Sequence, residues 1–155
     1  QAFEILQKDF TKINLTIAGS GDYLDKAIEN AKNISSDKIS FLGKISEFEK
    51  NKLMQSSWVF VNPSFKEGWG IVNLEASSLG TAVVGSDVSG IKDSIIDGKT
   101  GLLFEYGNEA DLAKKIKIIL TNSKLRKKLE KNGEKFSKTF SWDKAAKDYL
   151  KLITS

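Results

Sequence analysis

The sequence is notable for residue types that it lacks. It contains no cysteine and no histidine, and only one proline and one methionine. Without cysteine there can be no disulfides or thiolate metal sites, which suits a reducing compartment, and without histidine there is no imidazole acid–base chemistry. No apolar run approaches the roughly 20 residues that span a membrane, and no signal-peptide pattern is visible. We therefore expect a cytoplasmic location, with contact at the inner face of the membrane left open.

Positive charge is concentrated in the last third of the chain. Residues 1–110 carry 11 lysines and 15 acidic residues, whereas residues 111–155 carry 13 basic and 5 acidic residues. A basic tail can contact anionic lipid or nucleic acid. Here the lysines are spaced along amphipathic helices as solvated faces, and Arg126 is the only arginine, although base-reading proteins rely on arginine. We expect no nucleic-acid partner, and peripheral membrane contact stays open.

The most informative stretch is a strand, a loop with two glycines, and a helix. The apolar run Trp58–Val61 predicts a buried strand that ends at Pro63, and the following pattern predicts a helix over about residues 70–79. Gly68 and Gly70 allow close backbone approach, and the free amides at a helix start attract anions such as phosphate. This segment, which we call the glycine loop because it contains Gly68 and Gly70, is therefore predicted to bind a ligand.

Two glutamates flank this helix start, at positions 67 and 75. Glu75 has largely apolar neighbours on its helix, where a carboxylate needs hydrogen-bond partners. Sugar hydroxyls would provide them, and so would a nearby backbone group or lysine, and both interpretations stay open. Glu67 lies on the loop beside the glycines and is predicted to face a ligand, the alternative being a solvated loop acid.

Two other loops follow predicted strands. The strand that ends at Ala18 is followed by Gly19 and Gly21, a pattern that can hold a phosphate but also serves as a tight turn. The next strand is followed by Lys44 and Ile45, and the alternative for Ile45 is packing against the helix after it. Residues after parallel strands lie at the carboxyl edge of the sheet, where open α/β folds bind ligands.

Several motifs in a fixed order carry a resemblance that covers nearly the whole chain. They are Pro63-Ser64, Glu67–Ala76, Gly80–Val84, Gly90-Ile91, Asp97–Phe104, Leu15–Gly21 and Ile39–Gly43. Together they resemble the E-x7-E region and neighbouring segments of retaining glycosyltransferases of family 4, which have the GT-B fold and serve glycan biosynthesis.

The resemblance implies an α/β fold, a Rossmann-like doubly wound parallel sheet that forms the carboxyl-terminal half of a GT-B enzyme. Short strands alternating with helices independently favour such a sheet, covered on both faces. Residues 1–155 would be a single donor-binding domain, a fragment without the amino-terminal acceptor domain and without the first strand of its own domain. With that strand added, the expected order is 3-2-1-4-5-6.

The resemblance also implies transfer of a hexose from a UDP- or GDP-sugar to a hydroxyl acceptor. Glu67 would be the catalytic residue that orients the donor sugar, and Glu75 would hold the ribose. The remaining implied nucleotide-sugar contacts are Gly68 and Trp69 in the loop, Gly70, Ile71 and Val72 at the diphosphate, Lys44 and Ile45 at the base, and Gly19 and Gly21. No cofactor or metal is expected, because in the family basic residues, placed upstream of Gln1, neutralise the diphosphate. The isolated domain is expected to bind nucleotide weakly and not to transfer sugar.

Two alternatives to a family-4-like glycosyltransferase remain open from the sequence. A relative of starch or glycogen synthase would share the glycine loop and differ in its donor. A noncatalytic Rossmann-type nucleotide-binding or regulatory domain is the other, although a dinucleotide site would need a third glycine that Gly19–Leu24 lacks.

Overall fold

The computed structural model describes residues 1–32 and 36–154. The strands in this part of the chain are β1 (Leu15–Ala18), β2 (Ile39–Gly43), β3 (Val59–Asn62), β4 (Ala82–Ser86) and β5 (Leu102–Phe104). The helices are α1 (Ala2–Gln7), α2 (Leu24–Lys32), α3 (Glu47–Ser56), α4 (Ile71–Ser78), α5 (Ile91–Ser94), α6 (Glu109–Thr121), α7 (Ser123–Ser137) and α8 (Trp142–Thr154), with a 3₁₀ turn at Ser36–Lys38. The predicted alternation of strands and helices is confirmed.

All strand pairs are parallel, and they form two sheets. β1 pairs with β2, and β4 lies between β3 and β5. The expected order 3-2-1-4-5-6 counts one strand before β1, so that β1 and β2 are its strands 2 and 3 and β3, β4 and β5 are its strands 4, 5 and 6. The two observed sheets therefore agree with the 3-2 and 4-5-6 parts of that order. The strand numbered 1 in that order, which the family resemblance implies, has no counterpart among the described strands.

The core lies on both faces of β4, whose residues are fully buried because helices cover the strand on each side. Ala82 and Val84 face one apolar cluster, which includes Ile119 of α6 and Leu129 of α7. Val83 points to the other face, where the cluster consists of Met54, Ala76, Val83, Ile91 and Ile95. Covering on both faces, as predicted, is confirmed for the sheet of β3, β4 and β5, whereas three of the four residues of β1 are exposed.

The parallel direction of the strands brings the loops that follow them to one edge of each sheet. The Gly19 amide, after β1, donates to the carbonyl of Gly43 at the end of β2 at 2.8 Å. The hydroxyl of Ser86, at the end of β4, donates to the carbonyl of Ser64 after β3. These bonds tie the loops together in pairs and place the predicted ligand loops at the carboxyl edge.

Candidate functional site

The glycine loop enters α4 through Gly70, which has φ 65°. A Cβ atom at this position would lie 2.7 Å from Asn73 Nδ2 and 2.8 Å from Ser94 Oγ, both in buried side chains. Both the left-handed backbone and the lack of space therefore require glycine here. The close packing fixes where α4 begins.

The amino end of α4 is not capped by a side chain, and its first turn contains no acidic residue. The Asn73 amide is bonded to the carbonyl of Gly70 at 2.9 Å. The amides of Ile71 and Val72 precede it and have no carbonyl partner within the helix, because the first amides of a helix never do. Ile71 is 50% exposed. This end of the helix can therefore receive an anion.

Glu67 is half-buried and oriented by its own loop. The Ser64 hydroxyl donates to Glu67 Oε1 at 3.0 Å. Ser64 is fixed in turn, because its amide donates to Asn62 Oδ1 at 3.2 Å and its carbonyl accepts from Ser86. Glu67 is thus a positioned carboxylate and not a freely solvated loop acid.

A second loop, between β4 and α5, packs directly on the backbone of Glu67. Gly90 has φ 84°, and a Cβ atom there would lie 2.2 Å from the Glu67 carbonyl oxygen and 3.0 Å from that of Gly68. The two backbones are therefore in contact, which is possible only with glycine at position 90.

A chain of buried hydrogen bonds lies beneath the loop. Asn62 Nδ2 donates to Asn73 Oδ1 at 3.1 Å, and Asn73 Nδ2 donates to Ser94 Oγ at 2.9 Å. The Ser94 hydroxyl then donates to the Ile91 carbonyl at 2.9 Å. The chain connects the end of β3 with α4 and α5, and it satisfies polar groups whose burial would otherwise be costly.

Glu75 projects from α4 toward α3, where it meets Lys50. Lys50 Nζ lies 2.8 Å from Glu75 Oε2 and 2.7 Å from Glu47 Oε2. The hydrogen bonds to Glu47 and Glu75 raise the pKa of Lys50 above its ordinary value. The pairing with a lysine, one of the two interpretations of Glu75, is thus present. No hydrogen bond from another described residue reaches the second oxygen, Oε1.

The other predicted ligand contacts lie around this centre. Gly19 and Gly21 are exposed in the loop after β1, and Lys44 is exposed after β2. Ile45 is half-buried, which leaves both of its interpretations open. The Trp69 ring packs edge-on against Phe140, with the ring centroids 4.8 Å apart. A ligand in the loop would therefore meet the Trp69 backbone or the outer side of its ring.

The sequence did not predict the residues that hold Glu75 and the loop around Glu67 and Gly70. Lys50, Asn62, Ser86 and Ser94 act through contacts between elements that are far apart in the chain. Among the described residues, no group of three carboxylate, histidine or cysteine side chains is arranged to hold a metal ion. The same part of the chain contains no helix that is long and apolar enough to cross a membrane.

In a parallel α/β domain, an uncapped helix start and a positioned carboxylate at the carboxyl edge lie where ligands bind. The family model for "Glycosyl transferases group 1" matches residues 1–136, and the chain belongs to this family. The fold is that of the carboxyl-terminal half of a GT-B glycosyltransferase.

The relatives of the chain are longer than the chain itself. An uncharacterized glycosyltransferase of Methanocaldococcus jannaschii is 39% identical over 141 residues, which is 90% of this chain and 40% of the relative. The N,N'-diacetylbacillosaminyl-diphospho-undecaprenol alpha-1,3-N-acetylgalactosaminyltransferase of Campylobacter jejuni is 33% identical over 141 residues, 91% of this chain and 37% of the relative. The chain thus spans about 40% of the length of these two relatives.

A solved structure shares the fold at low sequence identity. The Anabaena protein HepE, crystallised with UDP, superposes with a TM-score of 0.88 at 17% identity, covering 99% of this chain and 43% of that protein.

Proposed function

We propose that the chain binds the nucleotide-sugar donor in a retaining, family-4-like glycosyltransferase that moves a hexose from a UDP- or GDP-sugar to a hydroxyl acceptor. The observation that carries the proposal is the free amino end of α4 between Glu67 and Glu75. HepE, which shares the fold, was crystallised in complex with UDP, and this supports a nucleotide diphosphate as the ligand.

The diphosphate would sit on the amides of Gly70, Ile71 and Val72. As the bond to the sugar breaks, negative charge develops on the leaving diphosphate. Oriented amides and the positive end of the helix stabilise that charge more in the transition state than in the ground state, and this lowers the barrier. No divalent metal is needed in this proposal, because basic groups of the full-length protein would balance the rest of the charge.

Glu67 would orient the hydroxyl groups of the donor sugar and stabilise the positive charge that develops on its ring. The Ser64 hydroxyl already occupies Oε1, so Oε2 is the oxygen that would meet the sugar. Glu75 would accept a hydrogen bond from a ribose hydroxyl. The base would lie near the backbone of Lys44 and Ile45, and Gly19 and Gly21 would complete the donor site.

The remainder of the enzyme would supply the acceptor site. We propose that an amino-terminal acceptor domain belongs to the same polypeptide and that one further parallel strand lies between β1 and β3. Residues 1–155 alone would then bind nucleotide weakly and transfer no sugar. With no cysteine in the chain, a cytoplasmic location is part of the same proposal.

Calorimetry on the full-length protein tests donor binding. We expect UDP or GDP to bind, and Glu75→Gln to weaken the complex about tenfold, since the charged acceptor of a ribose hydroxyl is replaced by a weaker, neutral one. The matched control is Glu109→Gln, because Glu109 is an exposed glutamate in the first turn of α6 and has no part in the proposed site. Absence of binding to both nucleotides would contradict the proposal.

Transfer activity tests the role of Glu67. We expect Glu67→Gln to lower kcat by about a hundredfold or more with little change in nucleotide affinity, as for other groups that act on transition-state charge. Glu105→Gln is the control, because Glu105 follows β5 and its Oε2 accepts a hydrogen bond from Asn108. Nuclear magnetic resonance of the product should show the anomeric configuration of the donor, and an inverted linkage would exclude a retaining mechanism.

A further inference from the structure

The contact between Lys50 and Glu75 joins two parts of the proposed nucleotide site. Lys50 lies one turn into α3, and its amide donates to the carbonyl of Ser46 at 2.9 Å. Ser46 directly follows Ile45, so the ion pair connects the proposed base segment to the proposed ribose carboxylate. The side chains of Lys50 and Glu75 are 24% and 39% exposed, which makes the pair partly buried.

Lys50 binds one carboxylate oxygen of Glu75 and leaves the other available to a ligand. Its ammonium group donates to Oε2 at 2.8 Å. A carboxylate oxygen that is bonded to an ammonium group is less able to accept from a ligand, so Oε1 is the better acceptor for a ribose hydroxyl. A glutamate that is free to rotate would lose side-chain entropy on binding, whereas one that is already held loses less.

Lys50 is itself held by a second carboxylate. Glu47, three residues earlier on α3, accepts from the same ammonium group at 2.7 Å. The neighbouring lysine on this helix has different contacts, because Lys52 Nζ lies 4.6 Å from the centroid of the Phe48 ring. Only Lys50 of the two is therefore directed toward α4.

We propose that Lys50 is a positioning residue for the nucleoside, which holds Glu75 in the orientation that accepts a ribose hydroxyl. This inference rests on the proposed donor-binding function. Lys50 itself need not touch the nucleotide. Substitution of Lys50 should therefore lower the affinity for a nucleotide that has ribose hydroxyls more than the affinity for one that lacks them.

The test compares two ligands on the same protein variants. Binding of UDP, or of GDP if that is the nucleotide that binds, is measured by calorimetry on the full-length protein, together with the matching 2′,3′-dideoxynucleotide. For Lys50→Met we expect affinity for the natural nucleotide to fall about three- to tenfold, the cost of immobilising one flexible side chain. Affinity for the dideoxynucleotide should change by less than about twofold, since its sugar has no 2′- or 3′-hydroxyl that could donate a hydrogen bond to Glu75.

Two further variants separate positioning from general structural damage. Lys50→Arg keeps a cation that reaches both carboxylates, and we expect it to retain most of the affinity. Lys114→Met removes an exposed lysine of α6 that has no contact with Glu75 and should leave the affinity for both ligands unchanged. An equal loss for the two ligands in Lys50→Met, or no loss for either, would overturn the inference.

The result also distinguishes this inference from the function on which it rests. If the wild-type protein binds neither nucleotide, the donor-binding proposal fails, and the role of Lys50 fails with it. If the wild-type protein binds and Glu75→Gln weakens binding while Lys50→Met does not, only the role of Lys50 is wrong.

Discussion

Asn73 is the residue whose buried side-chain amide packs beneath the glycine loop. It accepts from Asn62 and donates to Ser94, and all three side chains are buried. Its importance could not be predicted from the sequence, because an asparagine on the first turn of a helix also fits an exposed position. Its partners lie 11 and 21 residues away in the chain.

Removing this amide should destabilise the protein. For Asn73→Ala we expect the free energy of unfolding to fall by about 1–3 kcal/mol, because Asn62 Nδ2 loses its acceptor in a buried site. Urea denaturation measures the change. Asn51→Ala, at an exposed position on α3, should change the unfolding free energy by less than about 0.5 kcal/mol, and an equal effect of the two substitutions would contradict this account.

The two glycines of the loop should respond differently to alanine. Gly70→Ala should cost about 1–3 kcal/mol of unfolding free energy, since the left-handed backbone is strained for alanine and the new methyl group would collide with Asn73 and Ser94. Gly68→Ala is the control for stability, because a Cβ atom there has nothing within 4 Å. Thermal unfolding of both variants checks the prediction, and similar losses of stability would refute it.

Helix α3 is the element whose local signals were clearest in the sequence. Ser46 and Glu49 predict a capping box, and both of its hydrogen bonds are present. The pattern is readable because it depends on residues three positions apart. The direction of Lys50 from this same helix depends on where α4 lies, and that is decided by packing of the whole sheet.

The cap should contribute measurably to stability. For Ser46→Ala we expect a loss of about 1 kcal/mol in unfolding free energy, because the Glu49 amide loses its acceptor. The comparison is Ser56→Ala in the last turn of α3, where the hydroxyl donates to the carbonyl of Leu53 and alanine is at least as good a helix former. Denaturation of both variants decides between them, and no loss for Ser46→Ala would mean that the cap contributes nothing.

The same cap predicts a dependence on pH. Hydrogen bonds from the side chain and backbone of Ser46 lower the pKa of Glu49. A lowered pKa in the folded state means that the stabilisation is present above the ordinary glutamate pKa and is lost as the pH falls through the folded value. The difference between wild type and Ser46→Ala should therefore be larger at neutral pH than in acid. A Glu49→Gln background should remove this dependence, and its persistence there would assign the effect to another group.

At the scale of the whole molecule, the strand order was predicted in two correct parts. The pairs β1 with β2 and β3 with β4 follow from the rules for parallel sheets. Element bounds agree within a few residues, and α4 begins at Ile71 where the sequence indicated about Gly70. The contacts that hold the site were beyond prediction, because a hydrogen bond such as that of Ser86 to Ser64 requires knowing how the loops pack.

The proposed additional strand leads to a prediction for hydrogen exchange. In the full-length protein, amides of β1 and β3 that face this position should be protected about as strongly as those of β4, because a strand between them would bond to both. In a protein limited to residues 1–155, the same amides should exchange much faster, while β4 stays protected. Equal exchange of β1 in the two proteins would argue against a strand at this position.

The contact between Gly90 and the carbonyl of Glu67 has a consequence for how the proposed donor site could come to accept other sugars. Because no side chain fits between these two segments, neither can shift without pushing the other, and they should respond to a ligand as one rigid unit. Variation in the preference of the proposed donor site is then expected to arise outside these two segments, and libraries aimed at altered sugar use should leave position 90 unchanged.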